Sequence, residues 1–401
     1  MVPTLKISAV QMLGLAALGV AAGTWVKRRV PLLDRLNIPT PIVGGMLFAV
    51  AALALRDRVV NLDADVVLRD LLMVAFMTTI GLSARLQLIR EGGARVIWFL
   101  GIASLGAVLQ NLLGIALAHA LGVDPRLGIL TGSVALAGGP ATALAFGGTF
   151  EKMGVQGATT VAFAAATFGI TVAGLTGGYI GGWLIRRHRL KSDESGAART
   201  AGAPAEAGSL LNTAIVLAIA MGAGSLVSAG IQSLGVILPV YIGSMMVAVV
   251  IRNLDDRYRF AGIAQADVDS LGRIALYLFI VMALITLKLW ELSHLAVPLL
   301  AMLLVQVVFC WLMCITLPFW VMGRKYEAAV SAAGFCGFML GITANAVACM
   351  EELVERYGAA PQAFLVVPIV GAFLIDLTNS LIITAFANWM KIGRASCRER
   401  V

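Results

Sequence analysis

The chain has 401 residues, of which 60% are apolar and 13% charged, with a mean hydropathy of +0.92. A water-soluble domain carries about 25% charged residues, so this chain lacks the polar side chains needed to cover a globular surface. The net charge of +8 would suit a nucleic-acid binder. Here the Lys and Arg fall mostly in short loops between apolar runs, where they set membrane topology, and no nucleic-acid partner is expected.

A spanning helix needs about 20 apolar residues. In chain order the pattern predicts spans at 7–26, 40–56, 69–89, 95–121 and 156–185, then at 209–230, 237–251, 271–289, 295–321 and 362–388. The first has no small-residue cleavage site and is read as a retained span. In each half an apolar stretch between the fourth and fifth spans, 128–150 and 327–350, is interrupted by Gly and polar residues. Both are read as re-entrant hairpins, with ordinary spans as the alternative. The first contains Ala137-Gly138-Gly139-Pro140-Ala141-Thr142, the second Gly337-Phe338-Met339-Leu340-Gly341-Ile342-Thr343-Ala344-Asn345. Backbone that breaks helix inside a bilayer must be buried in protein or line a cavity.

Several marks recur at one shift of about two hundred residues, the signature of an internal repeat. Pro41 to Gly44 matches Pro239 to Gly243, Met73 to Arg85 matches Phe279 to Lys288, Gly138 matches Gly337, Glu151 matches Glu351 and Gly169 matches Gly371. Five spans is an odd number, so the second copy must be inserted upside down, the inverted-repeat plan of many secondary transporters. The expected fold is therefore an all-α integral membrane protein of five plus five helices with two hairpins. Residues 1–185 form the first repeat, 186–208 a polar linker and 209–390 the second repeat. The basic tail 391–401 (KIGRASCRERV) is read as foreign to the fold. Both termini and the tips of even-numbered loops are placed outside, because Lys27 to Arg29, Arg85 to Arg95 and the linker then carry most of the cations on the inside.

Asp376 is the most central acid in any span, and a carboxylate at that depth is a functional residue by default. Asn379 lies three residues on, on the same helix face. Together they suit an ammonium group or a sodium ion. Gly138, Gly139, Thr142, Gly337, Gly341, Thr343 and Asn345 at the hairpin tips are read as substrate contacts, because the N–H groups at a half-helix start suit a carboxylate. Ser133, Ser331, Thr378, Gln110 and Asn111 offer oxygens for sodium; helix capping and interhelical hydrogen bonding are the alternatives for each. Enzyme chemistry finds no motif: His119, His188 and His294 lie at helix ends or in loops, and no HExxH, GxSxG or P-loop is present. The five cysteines form no CxxC pair and are read as small buried thiols.

The motifs PxPxxGG, LRDxLMxAFxxTIGL (Leu68 to Leu82), VxQNxxGI (Val108 to Ile115), LKLWEL (Leu287 to Leu292) and the run Ala363 to Ile382 resemble the bacterial sodium/glutamate symporters over about residues 5–390. The resemblance implies sodium-coupled L-glutamate uptake across the bacterial inner membrane, Na+ as coupling ion with no other cofactor, a homodimer in the lipid bilayer, and an elevator-like movement. One departure stands out. Where that family usually reads GGHGT, this chain reads Gly138-Gly139-Pro140-Ala141-Thr142, and Thr343-Ala344-Asn345 replaces a Thr-Pro pair. The departure leaves another dicarboxylate or amino acid open as substrate.

Overall fold

The computed structural model describes residues 3–35, 38–192, 210–236, 238–292 and 295–398. The first half runs β1 (Thr4–Ile7), α1 (Ala9–Arg29), α2 (Pro31–Arg35), α3 (Thr40–Leu55), β2 (Asn61–Ala64), α4 (Val67–Ser83), α5 (Leu86–Ala120), α6 (Pro125–Ile129), a π-helical turn (Leu130–Val134), α7 (Gly139–Lys152) and α8 (Ala158–His188). The second half runs α9 (Leu210–Gln232), α10 (Val240–Tyr258), α11 (Gln265–Ile285), a 3-10 turn (Leu289–Leu292), α12 (Ala296–Val321), α13 (Tyr326–Met339), α14 (Thr343–Tyr357), α15 (Pro361–Ile369), a second π-helical turn (Val370–Leu374) and α16 (Ile375–Arg398).

Every predicted span meets a helix, with three corrections. The fold is all-helical as expected, apart from one short parallel pair, β1 with β2, from Thr4–Asn61 to Ile7–Ala64. The span expected at 69–89 stops at Ser83, and the chain restarts as α5 at Leu86. The span expected at 362–388 is split by the π-helical turn. Helix also continues past residue 391 to Arg398, so the tail begins in helix; 399–401 and the segment 193–209 of the linker lie outside the described residues, as does His294.

Among the described residues six helices are long and apolar enough to cross a bilayer: α1, α5 from Gly93, α8, α9, α11 and α12, with α3 a shorter apolar helix. The protein is therefore a multi-pass membrane protein. The others fall short for local reasons. α4 has 17 residues, α10 ends in Arg252, Asp255, Asp256 and Arg257, and α16 runs into Lys391 and Arg394.

Local chemistry sets the ends. Ser8 caps α1 in a reciprocal pair with Gln11, at 2.9 and 3.4 Å. Lys27, Arg28 and Arg29 fill its last turn, where cations favour the helix dipole, and Pro31 follows. Asp124 caps α6 at Arg126 N, 3.0 Å, with Pro125 in the first turn, where its missing N–H costs nothing.

The chain divides into two compact units, each drawn from both halves. One holds the described residues of 1–83 and 205–296, the other those of 84–204 and 297–401. In the first unit, α3 packs on α1 and α11, and α10 packs on α9 and α4. Glycines set these crossings. A Cβ on Gly44 would sit 1.8 Å from Gly19 O, and one on Gly243 would sit 2.4 Å from Gly224 O. Within lipid, such close backbone approach replaces the hydrophobic effect as the source of helix association. In the second unit, α13 packs on α8 and α14, and α5 packs on α6. Gly114 meets Gly128 at the latter crossing, where a Cβ on Gly114 would lie 2.0 Å from Gly128 O.

The α10–α11 loop is held by one carboxylate. Asp255 accepts N–H bonds from Ala261, Gly262 and Ile263 at 2.7, 3.2 and 3.0 Å. Burial pushes its carboxyl up, but these donors and Arg252 outweigh burial and hold it below the usual carboxylate range. A lowered value in the folded state gives a stabilisation that is complete above the ordinary carboxylate pKa and is lost as pH falls through the lowered one. Asp255→Ala is expected to cost about 1.5–3 kcal/mol, read as a lower melting temperature at neutral pH. The gap to the native protein should close under acid; a gap unchanged down to about pH 3 would contradict the assignment.

Candidate substrate and ion site at two helix breaks

The two stretches read as hairpins are both helix, break, helix. In the first, α6 passes into the π-helical turn, Gly132 leaves helical geometry (φ −92, ψ −128), and a turn leads to α7. Gly139 opens α7 with φ +66, a conformation that side chains rarely adopt. Pro140 stands in the first turn of α7, a position that suits its fixed φ. In the second, α13 ends at Met339, Ile342 is extended, and α14 starts at Thr343. The two arms fold back on each other: a Cβ on Gly337 would lie 2.4 Å from Ala346 Cα. Only glycine allows that crossing.

The breaks meet. A Cβ on Gly139 would lie 3.0 Å from Ile342 Cγ2 and 3.4 Å from Gly341 O. Gly169 of α8 closes on the same place, where its Cβ would be 2.3 Å from Leu340 O. The second π-helical turn is drawn in by Thr343 Oγ1, which donates to Gly371 O at 2.5 Å. Neither α7 nor α14 has a side-chain cap at its start.

Buried amides tie the freed backbone. Asn379 Nδ2 donates to Ser133 O at 3.0 Å, and Ser133 N donates to Asn111 Oδ1 at 2.9 Å. Gln110 Nε2 donates to Met339 O at 3.0 Å, and Asn345 Nδ2 to Ile170 O at 2.8 Å. Each amide uses one end only. Gln110 Oε1, Asn345 Oδ1 and Asn379 Oδ1, with Ser133 Oγ, are buried and have no hydrogen-bond partner among the described residues. A buried polar atom left unpaired costs about 1–3 kcal/mol, so these oxygens, and the likewise unpaired Asn111 Nδ2, are an uncompensated cost at the breaks. Asp376 lies one helical turn before Asn379, half-buried, with no hydrogen-bond or ion-pair partner among the described residues.

The structure thus brings together Gly139, Gly341, Thr343, Asn345, Asn379, Ser133, Gln110 and Asn111 at or beside the breaks. Gly138 and Thr142 stand together at the start of α7, where a Cβ on Gly138 would be 2.6 Å from the Thr142 side chain. Two expected sodium ligands are not brought in. Ser331 lies in α13 about two and a half turns before the break. Thr378 Oγ1 donates back to Leu374 O and accepts from Ser104 Oγ at 3.3 Å, which ties α16 to α5. Gln306 was not expected. It is fully buried in α12, donates to Gln110 O at 2.7 Å, and leaves Oε1 unpaired. Its signal was present as the one amide in the apolar run 295–321.

Comparison with known proteins identifies the family. The profile of the sodium/glutamate symporter family matches residues 5–359. A sodium/glutamate symporter of Escherichia coli strain K12 is 39% identical over 385 residues, covering 92% of this chain and 95% of that protein. One from Haemophilus influenzae is 36% identical over 391 residues, covering 94% and 96%. Among solved structures, a sodium proton antiporter from Methanocaldococcus jannaschii covers 96% of this chain at 14% identity and a TM-score of 0.43, too distant to bear on function. With a family profile and close relatives spanning almost the whole chain, the protein belongs to the sodium/glutamate symporter family.

Proposed function

We propose that this protein couples sodium entry to L-glutamate uptake across the bacterial inner membrane. The observation that carries the reading is the set of unpaired buried oxygens where two uncapped helix starts meet. Hard monovalent cations take oxygen ligands, and Asn345, Asn379, Ser133 and Gln110 supply unpaired ones. The N–H groups at the starts of α7 and α14 supply the complementary positive field for the carboxylates of glutamate. Asp376 balances the substrate ammonium or the sodium charge. Sodium lowers the electrostatic cost of taking an anion into the bilayer, and the membrane potential favours net positive entry.

The architecture behind it is an inverted repeat of five spans plus a re-entrant hairpin per half, joined by the linker. Matching contacts support this: α3 with α1 and α11 in one half answer to α10 with α9 and α4 in the other, and Gly44 on Gly19 answers to Gly243 on Gly224. Domains 1–185, 186–208 and 209–390 are then the two copies and their tether, with both termini periplasmic. The division into two units, of which one alone holds both breaks, supports an elevator in which that unit carries the substrate and the other anchors a homodimer. A second reading keeps the coupling and changes the cargo to another dicarboxylate or amino acid; Pro140 favours it, since proline removes an N–H from one helix start.

Radiolabelled L-glutamate uptake into proteoliposomes is expected with an inward sodium gradient and not with choline. Asp376→Asn should insert normally and lose uptake by about tenfold to a hundredfold; normal transport by it would remove Asp376 from the mechanism. Asn379→Ala is expected to raise the sodium concentration needed for half-maximal uptake, whereas a change in glutamate KM alone would assign it to substrate instead.

A further inference from the structure

Outside the site, α12 and α13 hold a cluster that transport chemistry leaves unused. Gln306, Cys310 and Cys314 follow one another at four-residue spacing, so they share one face of α12. Cys336 of α13 completes a triad in which the three Sγ atoms all lie within 4.8 Å of one another. All three thiols are buried and none is in a disulfide. A zinc–thiolate bond is about 2.3 Å, so sulphurs sharing one ion sit about 4 Å apart. The triad needs only a fraction of an ångström of contraction to reach that spacing.

We infer that Cys310, Cys314 and Cys336 form a binding site for a soft divalent cation of the zinc group. Sulphur donors exclude the hard coupling ion and select soft metals. The three thiols release their protons to solvent and bond the metal as thiolates, so three proton charges leave as the two of the metal arrive. An i, i+4 pair on one helix with a third ligand from the facing helix is a clamp across the two. Its position gives it a consequence. Cys336 O accepts the N–H of Leu340, so Cys336 stands on the last turn before the second break. A metal there ties that turn to α12, whose Gln306 already holds Gln110. The occupied clamp fixes the break and arrests uptake; this consequence rests on the transport reading, whereas the site itself does not.

The test is a cadmium titration of reduced protein in detergent, followed by the ultraviolet cadmium–thiolate charge-transfer band, beside uptake in proteoliposomes. The band should saturate at one cadmium per chain, vanish in the double variant Cys310→Ser/Cys314→Ser, and persist in Cys349→Ser. Cadmium should inhibit native uptake at least about tenfold and leave the double variant's uptake unchanged. No band in the native protein, or an equal band in the double variant, overturns the site. A saturating band without inhibition overturns the clamp alone. Absence of uptake before cadmium is added overturns the transport reading and leaves the site standing.

Discussion

Backbone freed by a helix break in a bilayer has no water to bond, and the second unit depends on how this protein meets that demand. Three buried carboxamides do it. Asn379, Asn111 and Gln110 reach carbonyls or an N–H group at the breaks, and Asn345 ties the start of α14 to Ile170 O of α8. A carboxamide has a donor end and an acceptor end. Here the donor ends of Asn379, Gln110 and Asn345 are spent on structure, leaving their acceptor oxygens buried and unpaired. The same side chains that make the breaks tolerable thus carry the unpaired oxygens on which the proposed ion site rests.

Glycine makes this arrangement reachable. Gly337 lets α14 lie against α13, Gly139 lets the first break touch the second, and Gly169 lets α8 approach Leu340. In a membrane the gain from such contacts is van der Waals packing rather than exclusion of water. A methyl group at any of these positions would therefore remove the contact without a compensating burial term. The first unit uses the same means for a different end: Gly44 on Gly19 and Gly243 on Gly224 make crossings of unbroken helices.

The departure at Pro140 is accommodated rather than disruptive. Its place in the first turn of α7 is one where a helix tolerates proline. What it changes is the number of N–H groups offered to an anion. The substitution leaves the break intact.

The sequence by itself determined the class of the protein, its helices and the sites of its breaks, because these depend on local quantities: apolar run length, proline and glycine positions, and the cost of a carboxylate at depth. Asp376 and the amides at 110, 111, 345 and 379 were legible for that reason. It misplaced helix ends at Ser83 and Leu374, since hydropathy does not register a two-residue break or a π-helical turn. Only the tertiary structure decided that the two breaks touch, that Gln306 joins the network, that Ser331 and Thr378 stand apart, and that Cys336 faces Cys310 and Cys314. Each of these joins residues from different helices, and no periodicity along the chain encodes which faces will meet.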